Sequence, residues 1–221
     1  MSAEVSKQDV FANLRQYLRP RIVAAERCEL CGTALGPEHP HLLEMKNRKI
    51  VCGCAPCAQL FGSGAAMRYK PIPRDVFILT DFEITDAQWE GLGIPINMAF
   101  FCRTVAGADT PNSRKPSAYY PSPAGATESL LDLETWEEIA GENPQLSGMQ
   151  DEVEALLVNR VTVPYEYYLV PIDQCFALVG LIRKQWRGFS GGADLWKSIA
   201  AFFASLKERA RPAKGLGRAE S

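Results

Sequence analysis

The sequence predicts an α+β protein with a small cysteine module near its N-terminus and a helix near its C-terminus. Five of the seven cysteines lie within the thirty residues from Cys28 to Cys57. Near the other end, Ala193–Arg209 places its apolar side chains on one stripe at helical spacing. Between these segments, short strand-like runs alternate with helical ones, which indicates a mixed α+β domain.

The composition is that of a globular protein, with 47% hydrophobic and 23% charged residues in a chain of 221. The longest apolar run, Cys175 to Ile182, has eight residues, whereas a bilayer-spanning helix needs about 20. The first residues carry no apolar segment of the kind that a secretory signal contains. We therefore expect a cytoplasmic protein without a membrane span.

Charge is distributed unevenly along the chain, although the formal net charge is only -2. Nine acidic and no basic residues lie between Pro116 and Asn159, whereas ten basic and five acidic residues follow from Arg160 to the end. The acidic middle segment argues against a nucleic-acid partner, which would need a basic surface. Such asymmetry occurs on solvated faces and on surfaces that bind proteins, and we expect a protein partner.

Two C-x2-C pairs, Cys28 with Cys31 and Cys54 with Cys57, predict a metal site made of four thiolates. The 22 residues between the pairs are enough for a hairpin, which the run from Glu44 to Cys52 predicts. A disulfide framework is disfavoured in a reducing compartment. We therefore predict a zinc-ribbon-like module with Zn as its metal.

Three further donors, Cys52, His39 and His41, lie in the same module. We expect these side chains to be structural, or to contact the four ligands without binding the metal themselves. We expect two histidines separated by one residue to point in opposite directions on an extended chain, which disfavours a second metal. A mixed site, for example with three cysteines and one histidine, is the alternative.

Iron is the alternative metal. Gly32 directly follows the first pair, and the resulting CELCG segment resembles a rubredoxin knuckle, in which iron replaces zinc and the protein carries one electron. Ala58 follows the second pair, so only half of that pattern is kept. A rubredoxin-like one-electron carrier is therefore the alternative function.

The segment Gly188 to Gly192 matches the G-x-S-x-G pattern of a nucleophile elbow, with a predicted strand before it and a predicted helix after it. A serine hydrolase of this class has its histidine after the serine, but no histidine follows Ser190. We disfavour a hydrolase. We expect Ser190 or Gly191 to cap the final helix, with Asp194 in its first turn.

The same region also suggests an anion or partner site. Arg183 and Arg187 precede the final helix, and the amides of Gly191 and Gly192 lie near its start. Guanidinium groups beside a helix N-terminus suit a phosphate or a carboxylate.

The sequence divides into a leading helix (1–21), a metal-binding cysteine module (22–63), an α+β domain (64–210) and a disordered tail (211–221). Predicted strands in the domain are Val76–Leu79, Ile94–Arg103, Tyr165–Val170 and Cys175–Ile182, the last of them central. Predicted helices are Asp86–Gly91, Leu130–Ala140, Met149–Val158 and Ala193–Arg209. Residues 107–125 are predicted to form a long exposed loop.

The segments CELCG, HPHLLEMKNRKIVCGCAPCAQLF and VGLIRKQWRGFSGGADLW resemble an uncharacterised bacterial family, often encoded beside high-affinity uptake nickel-iron hydrogenase genes. The positions that carry the resemblance are Cys28, Cys31, His41, Cys52, Cys54, Cys57, Trp186, Arg187, Gly188, Gly191 and Gly192. The resemblance implies no activity, but it implies a hydrogenase subunit or maturation factor as partner. We therefore expect a non-enzymatic, metal-binding accessory protein.

Overall fold

The computed structural model describes residues 26–62, 68–105, 114–188 and 190–213. The strands are β1 His41–Glu44, β2 Lys49–Cys52, β3 Tyr69–Pro71, β4 Phe77–Ile78, β5 Met98–Val105, β6 Arg114–Ser122, β7 Gly125–Ser129, β8 Glu154–Asn159, β9 Glu166–Pro171 and β10 Arg211–Pro212. The helices are α1 Ala55–Phe61, α2 Asp86–Gly91, α3 Leu133–Glu142, α4 Ile172–Gln185 and α5 Ala193–Arg209, with a 3-10 turn at Pro144–Gly148. The predicted leading helix lies outside the described residues.

A large sheet with strand order β10-β4-β9-β8-β5-β6-β7 forms the body of the protein. Its two faces carry separate apolar cores because successive side chains of a strand point to opposite sides. Phe100 packs in the core that contains Leu195 of α5, whereas Phe101 packs in the core of α2 and α3 and stacks on Trp136 with ring centroids 4.9 Å apart. Helices therefore cover both faces, and all six residues of β8 are buried.

A small antiparallel sheet with strand order β2-β1-β3 forms the cysteine module. The predicted hairpin is confirmed as β1 and β2, which pair from His41 opposite Cys52 to Glu44 opposite Lys49. Its own apolar core is small and centres on Leu42, Val51 and Tyr69. Strand β3 follows the predicted end of the module at residue 63, so the small sheet continues to Pro71.

The opposite face of the small sheet packs against the body. Leu43 of β1 belongs to the same apolar core as Leu195 of the last helix. Lys70 of β3 donates to the carbonyl of Asp151, just before β8, at 2.8 Å. In the turn of the hairpin, Arg48 pairs with the buried carboxylate of Glu152 at 3.2 Å. The cysteine module is thus joined to the body by apolar and polar contacts.

The predicted central strand at Cys175–Ile182 is wrong, because this run is part of helix α4. Its buried residues in this run are spaced as on one face of a helix: Cys175, Leu178, Val179 and Ile182. Phe176 is 43% exposed on the other side of the helix. A short, continuous apolar run does not by itself distinguish a buried strand from a buried helix.

Two further predictions are corrected. The second half of the predicted helix Met149–Val158 belongs to strand β8, which takes the central position instead, and its first half contains a turn. Its Glu154, one of the nine acids of the middle segment, is 1% exposed and accepts a hydrogen bond from the Gln150 amide. In the predicted loop 107–125, Arg114–Ser122 forms strand β6 and pairs with β5.

The other predicted elements are present. Strands overlap the predicted Val76–Leu79, Ile94–Arg103 and Tyr165–Val170, and helices occupy Asp86–Gly91 and Ala193–Arg209. The predicted helix at 130–140 is shifted toward the C-terminus, and the predicted tail begins with strand β10. No helix within the described residues is both long and apolar enough to cross a membrane.

Candidate metal centre

The first C-x2-C pair lies in a tight loop before β1. The amide of Cys28 donates to the carbonyl of Thr33, and the amide of Gly32 donates back to the carbonyl of Cys28, both at 2.8 Å. Gly32 has φ +77°, a conformation that glycine adopts without a steric cost. This turn brings the side chains of Cys28 and Cys31 to one side of the loop.

The second pair lies where β2 ends and α1 begins. Cys54 is the N-cap residue of this helix, and its carbonyl accepts a hydrogen bond from the amide of Ala58 at 2.9 Å. Cys57 lies three residues later, so both side chains share one side of the first turn. The amide of Gly53 donates to the carbonyl of Pro40, which fixes the approach of the chain to the helix.

The four sulfur atoms of Cys28, Cys31, Cys54 and Cys57 all lie within 4.8 Å of one another. Those of Cys31 and Cys54 are 3.7 Å apart. Four thiolates at about 2.3 Å from a tetrahedral zinc ion would have sulfurs about 3.8 Å apart. A disulfide would need about 2.05 Å, and all seven cysteines are free. The arrangement therefore fits one metal ion rather than two disulfides.

The surroundings of the sulfurs favour a thiolate at Cys28 and a thiol at Cys57. Burial raises the pKa of Cys28, but amides of Cys54 and of its own loop donate to the sulfur and lower this pKa to about 6. The pKa of Cys57 is raised to about 12 by its hydrogen bond to Cys54 and by burial. Four sulfurs so close together cannot all ionise unless a cation is present. A metal ion would supply that charge.

Cys52, His39 and His41 form a second group, whose possible ligand atoms also lie within 4.8 Å of one another. The prediction that the two histidines point in opposite directions is wrong. Residues i and i+2 of an extended chain lie on the same side, and the two rings are 5.0 Å apart, edge to face. The surplus donors are therefore gathered in one place.

Charged neighbours surround this second group. The hydrogen bond that the ring of His41 donates to the carboxylate of Asp173 raises the pKa of His41. The pKa of Cys52 is raised by burial and by the carboxylates of Glu26 and Glu29. Asp173 follows His41 by 132 residues. No local pattern in the sequence could indicate that pairing, and the sequence analysis missed it.

The nucleophile elbow is contradicted by its context. The segment Gly188 to Gly192 connects helices α4 and α5, whereas an elbow follows a strand. The carbonyl of Ser190 accepts a hydrogen bond from the indole of Trp196 at 3.0 Å. The N-cap of α5 is Gly192 rather than Ser190 or Gly191, and Asp194 lies in the first turn as predicted.

The predicted anion site at Arg183, Arg187, Gly191 and Gly192 remains a prediction. The amide of Arg187 donates to the carbonyl of Gly191 at 3.3 Å, which closes the connection between the two helices. Among the described residues, no hydrogen bond or ion pair joins the guanidinium of Arg183 or Arg187 to this turn.

A family model with the description "Family of unknown function (DUF5947)" matches residues 27–210, so the chain belongs to this family. The resemblance to an uncharacterised family is therefore confirmed. The link to hydrogenase genes remains a prediction. No curated protein and no solved structure matches the chain.

Proposed function

We propose that Cys28, Cys31, Cys54 and Cys57 bind one structural zinc ion, and that the protein is a non-enzymatic accessory protein that acts through a protein-binding surface. The clustering of the four sulfurs within 4.8 Å carries the proposal. Four protein thiolates fill a tetrahedral coordination sphere and leave no position for a substrate, which is typical of structural zinc.

A structural role fits the small size of the module's own core. The described apolar residues buried there are Leu42, Val51 and Tyr69. The loop that carries Cys28 and Cys31 precedes β1 and belongs to neither sheet. A metal ion would join this loop to the start of α1. Its binding free energy would then contribute to the folding of the module.

The ligand assignment is tested by replacing each of the four cysteines with serine. Each replacement removes one thiolate, so we expect at least a 100-fold loss of zinc affinity and a less stable module. The measurement is zinc content by elemental mass spectrometry, with chelator competition for affinity. Cys102→Ser and Cys175→Ser are the controls, because both residues are buried in the large core. Full zinc content in the four variants would contradict the assignment.

The exposed acids of α3 form the proposed protein-binding surface. Three acids of the acidic segment are used internally, because Asp151 pairs with Arg103 and both Glu152 and Glu154 are buried. The four acids on α3 are exposed to solvent: Glu134, Glu137, Glu138 and Glu142, the last of which accepts a hydrogen bond from Gln88. Beside them Leu130 is 98% exposed and Leu133 is 47% exposed. An acidic surface with apolar side chains at its edge suits a basic protein partner.

We propose a hydrogenase subunit or maturation factor as that partner, on the resemblance described above. Changing Glu134, Glu137 and Glu138 to lysine should slow association with the partner at least tenfold at low salt, because opposite charges steer encounter. The difference should shrink as salt is added. The measurement is the association rate of the partner recovered from the native host under anaerobic conditions.

The matched control changes Asp81, Asp194 and Glu208 to lysine. These acids are also exposed but lie outside α3, and the change in net charge is the same. This control should bind faster than the α3 variant. Equal rates for the two variants would contradict a specific acidic surface on α3.

A rubredoxin-like electron carrier is the second candidate function. It is favoured by the exposure of Cys31 and by the glycine turn at Gly32 that follows it. An exposed ligand would give electrons a short path to a partner. Four thiolates on ferric iron give a red protein, whereas zinc gives a colourless one, so the visible spectrum of protein purified from the native host distinguishes the two functions.

A further inference from the structure

We infer that His39, His41 and Cys52 form a second metal site, separate from the four cysteines, which binds a borderline transition-metal ion such as Zn²⁺ and keeps at least one coordination position open. The possible ligand atoms of the three residues lie within 4.8 Å of one another. Imidazole and thiolate together are the donors that such ions prefer.

The strand pairing places two of the three donors face to face. His41 and Cys52 are direct partners in the β1–β2 ladder. Side chains of such partners lie on the same face of the sheet, opposite each other. Leu42 and Val51, the next pair, point to the other face and fill the small core of the module. The pairing therefore holds His41 and Cys52 together whether or not a metal is present.

His39 lies just before β1 and approaches His41 and Cys52 from the adjoining turn. Its Nδ1 is 2.9 Å from the carbonyl oxygen of Gly36. This bond places the ring proton on Nδ1 and leaves Nε2 with a free lone pair. That Nε2 is buried and has no hydrogen-bond partner among the described residues, and the side chain is only 7% exposed. A buried acceptor without a donor is unfavourable, and a metal ion would satisfy it.

The ring of His41 is oriented in the same way. Its Nδ1 is 2.5 Å from a carboxylate oxygen of Asp173, which leaves Nε2 as the nitrogen available to a metal. A carboxylate or carbonyl bound to the second nitrogen is the usual support of a histidine ligand. Both histidines therefore have the outer partner that fixes a metal-binding imidazole.

Three protein donors leave part of a tetrahedral sphere free, as in catalytic rather than structural zinc sites. Both histidines line a cleft of about 470 Å³ between the module and the first turn of α4. The carboxylate of Glu26, also on this cleft, lies 3.7 Å from Nε2 of His39. An ion held there would thus be open to the cleft, where water or Glu26 could complete its coordination.

The test compares metal content in full-length protein without a histidine tag. The wild type, loaded with Zn²⁺ and passed through a desalting column, should contain one equivalent more than the His39→Gln/His41→Gln double variant. This difference of one equivalent is expected whether or not the four cysteines hold zinc, so the two proposals fail separately. The control is Glu38→Gln, which changes another residue of the cleft and should keep the extra equivalent.

Asp173→Asn keeps the module and all three donors but changes the partner of His41. It should weaken Zn²⁺ binding at this site about 10- to 100-fold, as other outer partners of histidine ligands do. Equal zinc content in the wild type and in a folded double variant would overturn the inference. If the double variant does not fold, an unchanged Zn²⁺ affinity in Asp173→Asn would overturn it.

Discussion

At Gly191, both the backbone conformation and the surrounding side chains disfavour a larger residue. Gly191 has φ +83°, and a Cβ atom there would lie 2.5 Å from the side chain of Leu195 and 3.3 Å from the ring of Trp186. We predict that Gly191→Ala lowers the free energy of unfolding by about 1–3 kcal/mol, through strain and displacement of these side chains. Urea denaturation measures the change.

Gly180 provides the control for this prediction. It lies inside α4, and a Cβ atom there would meet no atom of the described residues within 4 Å other than the nearby backbone of its own helix. Gly180→Ala should raise the free energy of unfolding by about 0.5–1 kcal/mol, because alanine loses less backbone freedom in a helix. Equal effects of the two substitutions would mean that the turn before α5 tolerates a side chain.

Among the candidate ligands, the sequence separates the four cysteines well and the three surplus donors poorly. A C-x2-C pair is a local unit, so the spacing alone predicts that its two sulfurs converge. The convergence of His39, His41 and Cys52 depends on hairpin register, on a turn and on Asp173 from a distant helix. A correct use of the two-residue period of strands would have placed the histidines together.

At the scale of elements, capped and amphipathic segments were predictable and fully buried ones were not. Helix α2 begins with a capping box of Thr85 and Gln88, a local signal. Strand β8 is buried on both faces, so its sequence lacks the alternation that marks a half-exposed strand. Only the neighbouring strands and the helices on both faces decide its conformation.

The hairpin turn between β1 and β2 is an element whose contact with the body can be measured. The guanidinium of Arg48 pairs with Glu152, whose side chain is only 4% exposed and also accepts from the amide of Val105. We predict that Arg48→Ala lowers the free energy of unfolding by about 1–2 kcal/mol, less than for a fully buried pair because Arg48 is half exposed. Chemical denaturation provides the measurement.

A double-mutant cycle isolates this pair. Glu152→Gln removes the buried charge, so Arg48→Ala in that background should cost less than in the wild type, with a coupling of about 0.5–2 kcal/mol. Additive effects of the two substitutions would show that the turn does not depend on the ion pair.

The whole molecule combines the cysteine module with a sheet that is covered on both faces, and the two share an apolar core. Leu43 and Ile72 of the module region pack with Leu157 of β8 and Leu195 of α5. The proposed second metal site lies on the same face of the large sheet as this shared core, where Asp173 of α4 pairs with His41 of β1. The exposed acids of α3 belong to the helix layer on the other face of the large sheet. Metal binding and partner binding would therefore use different faces.

The proposed function depends on one metal ion held by Cys28, Cys31, Cys54 and Cys57. The most direct test is X-ray absorption at the metal edge in the tag-free His39→Gln/His41→Gln variant, which keeps only the four-cysteine site. We predict one equivalent of zinc per chain with four sulfur neighbours at about 2.3 Å. Nitrogen or oxygen neighbours, or a folded protein without metal, would contradict the claim.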